Sequence, residues 1–244
     1  MTVYEILEEA AQYFSVEVAD LTLASGTVAL NQARRNAELR IDFEFSRVLA
    51  YLEIDGSTGG SLDDAVVYGT QDEVSPTAVE IKSPVEVGLF DEQGNLRPID
   101  WTTVAESLER QRIVTPGFYP RYPTDGQIES GLCALGRLAF SGQMVYLVPR
   151  NAAITLKVGI ECYKFWPDWT TPVDATDTQT NVWTTKGSQY LLWQTIVQLN
   201  HLHKHFVFRQ EGNLPPPQEL ANAGLEALIT WDINRYEQFR RHQP

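Results

Sequence analysis

Ser188-Gln-Tyr-Leu-Leu-Trp-Gln-Thr-Ile-Val-Gln-Leu-Asn-His-Leu-His-Lys-His-Phe206 reads as a helix with one apolar face. Leu192, Thr195, Ile196, Leu199, His203 and Phe206 recur at steps of three and four, and Ser188 is placed to cap the first turn. A tight connector, Phe208-Arg-Gln-Glu-Gly-Asn-Leu-Pro-Pro-Pro217, separates it from a second helical pattern over Gln218–Phe239. There Leu220, Ala223, Ala227, Leu228, Trp231 and Tyr236 form the apolar line. A proline run directly before a helix is favourable, because the first turn has no use for its missing N–H donors. One pair of helices cannot bury both apolar faces alone, so the partner must lie elsewhere in the chain.

The N-terminus supplies it. Val3, Ile6, Leu7, Ala10, Ala11 and Phe14 make one stripe, with Glu5, Glu8 and Glu9 off it. Ser25 is a good N-cap for a second helix, whose buried line is Leu30, Ala33, Ala37 and Ile41. Arg34, Arg35, Glu38 and Asp42 fall mostly outside that line, and the helix is expected to end near Phe43–Phe45. Beyond it the period changes to two. Val48, Ala50, Leu52 and Ile54 alternate with Leu49, Tyr51 and Glu53. Val79-Glu-Ile-Lys and Val85-Glu-Val repeat the alternation across Pro84, which predicts an edge or bulged strand. Asp91–Asn95 is a hairpin turn, and Asp100–Arg112 has helical spacing. Gln143–Val148 and Ile154–Cys162 are expected to pair through a turn at Pro149–Ala152. Pro167–Gly187 lacks periodicity and reads as loop.

Helices, then strands, then helices give an α+β chain: an antiparallel helical bundle formed by both chain ends, carrying a β-rich insertion of sandwich or barrel type. The bundle takes residues 1–46 and 188–244, and the insertion takes 47–187. Ser57–Gly60 and Trp166–Gly187 are expected to order only on assembly.

The 244 residues are 43% hydrophobic and 21% charged, ordinary for a globular chain able to bury a core. No apolar run approaches the roughly 18 residues of a membrane span. Acidic residues stand at the N-terminus where a signal peptide is basic. Cys133 and Cys162 exclude a disulfide framework, though not a single bridge, and read first as buried thiols. The net charge of −13 is concentrated: between Val48 and Glu109, 13 acidic residues face only Lys82 and Arg97. Such a field repels nucleic-acid phosphate, although DNA could slide past it.

Signatures for phosphate binding, nucleophile elbows, metalloprotease helices and paired cysteines are all missing, so no catalytic, cofactor-binding or metal-binding residue is assigned. His201 and His205 lie one helical turn apart, but Lys204 puts positive charge where a cation would sit, and His203 falls on the apolar stripe. Asp168, Asp174 and Asp177 have no calcium-loop spacing. Trp166, Trp169 and Trp183 read first as anchors for a long loop; with the nearby aspartates they are also what a carbohydrate-binding or hydrolytic module would use. The C-terminal run differs from the rest of this acidic chain. Arg235, Arg240 and Arg241 with Tyr236 and Phe239 form the aromatic-plus-arginine mix of protein contacts.

Two segments together carry a resemblance. Leu30-Asn-Gln-Ala-Arg-Arg-Asn-Ala-Glu-Leu-Arg-Ile-Asp-Phe-Glu-Phe-Ser-Arg47 passes from an Ala/Arg-rich helix straight into a strand, and Tyr190–Arg209 leads through a loop to a last amphipathic helix. This resembles the head–tail adaptor (connector) proteins of tailed bacteriophages, of the tail tubular protein A type. The resemblance implies a structural virion protein of the neck, assembled in the host cytoplasm, and no enzyme. It implies a dodecameric homo-oligomeric ring that docks beneath the portal protein, extends the DNA channel without binding DNA specifically, and receives the next tail component, a nozzle or stopper. The portal-contacting role then falls on Arg235, Tyr236, Phe239, Arg240 and Arg241. Another neck, tail-completion or capsid-associated virion protein is the nearest rival reading.

Overall fold

The computed structural model describes residues 1–14, 23–91, 94–99, 101–103, 137–148, 155–202 and 215–241, in backbone alone at 101–103, 137, 148, 202 and 238–241. The chain is mixed α+β and divides into two compact units, Met1–Phe45 with Pro167–Pro244, and Ser46–Trp166. Residues 167–187, grouped with the insertion on sequence, fall in the helical unit.

The helical unit contains α1 (Val3–Tyr13), α2 (Leu23–Glu38), a short α3 (Val182–Lys186), α4 (Ser188–Leu202) and α5 (Pro217–Arg241). α1 opens with a capping box: the Thr2 hydroxyl accepts from Glu5 N at 3.1 Å and the Glu5 carboxylate accepts from Thr2 N at 2.7 Å. Its predicted stripe, Val3 to Phe14, is buried throughout. α4 packs against α1, α2 and α5, through Leu191, Leu192, Thr195, Ile196 and Leu199.

Three helical expectations change. α2 starts at Leu23, two residues before the expected cap, and stops at Glu38. Its last turn tightens, Arg40 N bonding to Ala37 O at 3.0 Å, and Glu44–Ser46 form a 3-10 turn instead. Arg34 and Glu38, read as peripheral, are fully buried. On α5 the inner line is Ala221, Gly224, Leu228 and Asp232, while Ala223 and Ala227 face solvent. Gly224 explains the choice of face: a Cβ there would meet Tyr190 N at 2.7 Å and Tyr190 Cα at 2.9 Å, so α5 crosses α4 at backbone contact.

The expected loop 167–187 is stitched by hydrogen bonds and contains α3. Asn181 Oδ1 caps that helix, accepting from Trp183 N at 2.9 Å and Thr184 N at 3.2 Å. The Gln179 side-chain amide pairs both ways with the Thr170 backbone at 3.0 Å.

The second unit holds two sheets. One has the order β3 (Val66–Val67), β1 (Arg47–Asp55), β9 (Thr155–Phe165), β4 (Glu80–Phe90), β5 (Leu96–Pro98); the other runs β2 (Gly60–Ser61), β8 (Met144–Val148), β7 (Arg137–Ser141), β6 (Trp101–Thr103). Pairings are antiparallel except β6 with β7. A single core joins them: Ala50, Leu52, Ile54, Val87, Leu89, Leu156, Val158, Ile160 and Cys162 from the first sheet, Leu138, Val145 and Leu147 from the second. Every second residue of β1 and β9 points into it, as the alternation predicts. Burial pushes the Cys162 thiol up to about 12. Cys133 lies outside the described residues.

The expected pairing of Gln143–Val148 with Ile154–Cys162 is overturned, because the two strands belong to different sheets. β9, 11 residues long, pairs along its length with β1 and β4, partners that the short β8 cannot match. The turn assigned to Pro149–Ala152 lies outside the described residues. Pro84 does mark a bulged strand: the register of β4 on β9 shifts at Ile81/Ser83 and Pro84/Glu86. The Asp91–Asn95 turn joins β4 to β5, with Gly94 at φ 79°. Trp101–Thr103, expected to begin a helix, is strand β6; the rest of Asp100–Arg112 is outside the described residues.

Candidate partner-binding site

α5 carries the predicted contact residues on its last turns, and its local chemistry changes along its length. Pro217 opens it, and the Pro216 carbonyl accepts from Glu219 N at 2.9 Å and Leu220 N at 3.2 Å, which satisfies donors of the first turn. The middle of the helix, Gly224 to Leu228, lies against the start of α4 and against Gly187. Trp231 and Asp232 face the segment that follows α2.

That contact is an aromatic cluster with one carboxylate. Phe43 and Phe45 stack at 5.0 Å. Both meet the fully buried Trp183 edge-on, at 5.0 and 5.4 Å, and Phe45 also reaches Trp231 at 6.1 Å. Beside them the Asp232 carboxylate accepts from Glu44 N at 2.7 Å and Phe45 N at 3.1 Å. Burial holds the Asp232 carboxyl above its ordinary value, and the two backbone bonds oppose that shift. The exit of the chain from the helical unit is therefore clamped by α5.

The return is clamped by α2. Arg34, with no exposed surface, donates to the Pro167 carbonyl and to Asp168, stacks over Trp169 at 4.9 Å, and lies 3.6 Å from Glu38. Desolvation lowers the Arg34 pKa, while Glu38 and Asp168 oppose it. The Asn31 side-chain amide pairs with the Trp169 backbone in both directions at 3.0 Å.

Beyond these clamps α5 continues to Arg241. Arg235 is exposed, its guanidinium 5.5 Å from the Trp231 ring centroid, and Lys186 approaches the same ring at 5.8 Å. Tyr236 is half-buried and Ile233 is exposed. Phe239, Arg240 and Arg241 belong to the helix, but their side chains lie outside the described residues. The structure thus brings Arg235 and Tyr236 onto one helix end, next to a tryptophan flanked by cations.

Sequence reasoning missed the clamps. Asp232 is a lone acid inside an apolar period, and nothing local marks it as a cap for residues nearly two hundred positions away. Trp169 and Trp183 are buried anchors, so their rings offer no open stacking face; Trp166 donates to Ser46 Oγ at 2.9 Å. Asp168 is paired with Arg34, Asp174 with Thr176 and Asp177 with Gln179. His203 and His205 lie outside the described residues. No protein-family model matches the chain, and no curated protein matches it.

Proposed function

We propose that the protein is a structural ring component of a phage neck, a head–tail adaptor whose two chain ends form a helical bundle and whose acidic β unit is an insertion. The observation that carries the reading is the pair of clamps. Asp232 fixes the point where the chain leaves the helical unit, and Arg34 with Asn31 fixes the point where it returns. A helical unit that fixes the chain at both points where it departs and returns suits an assembly component. The end of α5 supplies the portal contact, through Arg235, Tyr236, Phe239, Arg240 and Arg241. Arginine and aromatic anchors on an otherwise acidic chain are what a contact of this kind needs. The net-negative insertion lets DNA pass without adhering.

The test is native mass spectrometry of the purified protein, alone and mixed with the portal encoded in the same genome. Co-assembly into a ring on the portal is expected, weakened by the triple change Arg235→Ala, Tyr236→Ala, Phe239→Ala while the circular dichroism spectrum is kept. A protein that ignores that portal and cleaves glycans instead would overturn the reading.

A further inference from the structure

Among the described residues, α2 and α5 each present an exposed flank of the helical unit. α4 packs against both α2 and α5, and those two helices do not pack on each other to any comparable extent, so α4 lies between them. On α2 the buried residues Gly26, Ala29, Leu30, Ala33, Arg34 and Ala37 leave an opposite stripe of Ala24, Val28, Gln32 and Arg35, continued by Leu39 in the turn just past the helix, at steps of four, four, three and four. Val28 is 52% exposed and Leu39 63% exposed, large apolar side chains presented to water. On α5 the face opposite Ala221, Gly224, Leu228 and Asp232 holds Ala223, Ala227 and Thr230, with Ile233 52% exposed. These stripes have similar length: about 16 Å from Val28 to Leu39 and about 15 Å from Ala223 to Ile233, at the rise of an α-helix.

Their charges are opposite. Arg35 lies in the α2 stripe and Arg40 just beyond it, whereas Glu219, Glu226 and Glu237 border the α5 stripe. Small residues at 223, 227 and 230 leave room for the Val28 and Leu39 side chains of an approaching helix.

We infer that the α2 flank of one copy of this chain docks on the α5 flank of the next, continuing the row α5, α4, α2 from subunit to subunit. Such a contact is heterologous: each copy uses one flank to give and the other to receive, and repetition closes into a ring if the rotation allows. This interface rests on the proposed ring assembly and names the surfaces that would build it. Opposite charges set the register, and the apolar residues between them supply the buried area.

Sedimentation velocity on the full chain, alone and with the portal, tests it. Val28→Asp with Leu39→Asp, both exposed positions, is expected to leave the far-ultraviolet spectrum unchanged and weaken self-association at least about tenfold, equivalent to about 1.4 kcal/mol. Charge reversal on one flank, Arg35→Glu with Arg40→Glu, weakens it as well, and so does Glu219→Arg with Glu226→Arg on the other. All four changes in one chain restore most of it, since positions 35 and 40 again oppose positions 219 and 226 in charge. Rings that survive the single-flank changes, or a four-fold variant no better than either pair, overturn this interface while leaving the adaptor reading intact. A wild-type chain monomeric both alone and with the portal overturns both.

Discussion

The helical unit buries charge, whereas the β unit builds its core from apolar residues. Arg34, Glu38 and Asp232 are all within 5% of complete burial in the first. In the second, among the described residues, the buried core shared by the sheets is built from apolar side chains and the Cys162 thiol, and the buried acid Asp91 sits in a turn, paired with Asn95 and Arg97. The difference follows from what each unit must specify. Two-residue alternation determines which side of a strand is inside, so β1 and β9 need no buried polar group to align. Helices packed by alanines and leucines can slide and rotate at little cost, and the helical unit must also hold the chain where it leaves and where it returns. Directional bonds from buried charged groups fix those two points.

Removing buried charge should therefore hurt one unit far more than removing similar charge hurts the other. The largest effect is expected for Arg34→Ala, which strips the Pro167 carbonyl and Asp168 of their donor and leaves Glu38 buried beside a void. A loss of about 3–5 kcal/mol is the usual cost of breaking a buried pair from one side, read as a shift of the urea midpoint. Gly224→Ala comes next. Its methyl would meet the Tyr190 backbone, which cannot rotate away, and forcing α4 and α5 apart should cost about 1–3 kcal/mol; a stabilised variant would show that the crossing is looser than the contacts state.

Asp232→Ala orphans the Glu44 and Phe45 amides, a cost of about 1–2 kcal/mol, with a distinctive pH dependence. Because the folded carboxyl titrates above its ordinary value of 3.8, the folded state holds the proton more tightly in that range. The residue's contribution is thus greatest below pH 3.8 and falls as pH rises through the raised value. The stability gap between wild type and Asp232→Ala should narrow over that window, and a widening gap would contradict the assignment. The smallest effect is expected for Arg47→Ala in the β unit. Arg47 pairs with Glu161 at 2.7 Å, but both are 30% exposed, and such pairs are worth under about 1 kcal/mol. An Arg47→Ala cost equal to that of Arg34→Ala would erase the contrast between the units.

The composition of the proposed contact was legible: the mix of arginine and aromatic residues over 235–241 stands out in an acidic chain, and α5 carries that segment. The surroundings were not legible. Trp231 reads from the sequence as an apolar position, yet it also carries two cations on its ring. Arg34 and Glu38 read as peripheral because helical periodicity ranks positions by polarity, and a buried ion pair looks the same as an exposed one. Ala223 and Ala227 were placed inside for the converse reason: alanine is at home on either face, and the glycine that allows backbone contact with α4 has no hydropathy of its own.

The helical character of the N-terminal and C-terminal segments, the stripe of α1, the inward residues of β1 and β9, the bulge at Pro84 and the hairpin at Asp91–Asn95 were all determined by the chain's own pattern. Each depends on interactions within a few residues, where period, turn chemistry and missing donors act directly. Tertiary structure alone decided that β8 and β9 join different sheets, which face of α5 turns inward, and that Asp232 and Arg34 hold the chain at its exit and return. Those outcomes depend on groups far apart in sequence, whose energies exist only once the backbone has brought them together.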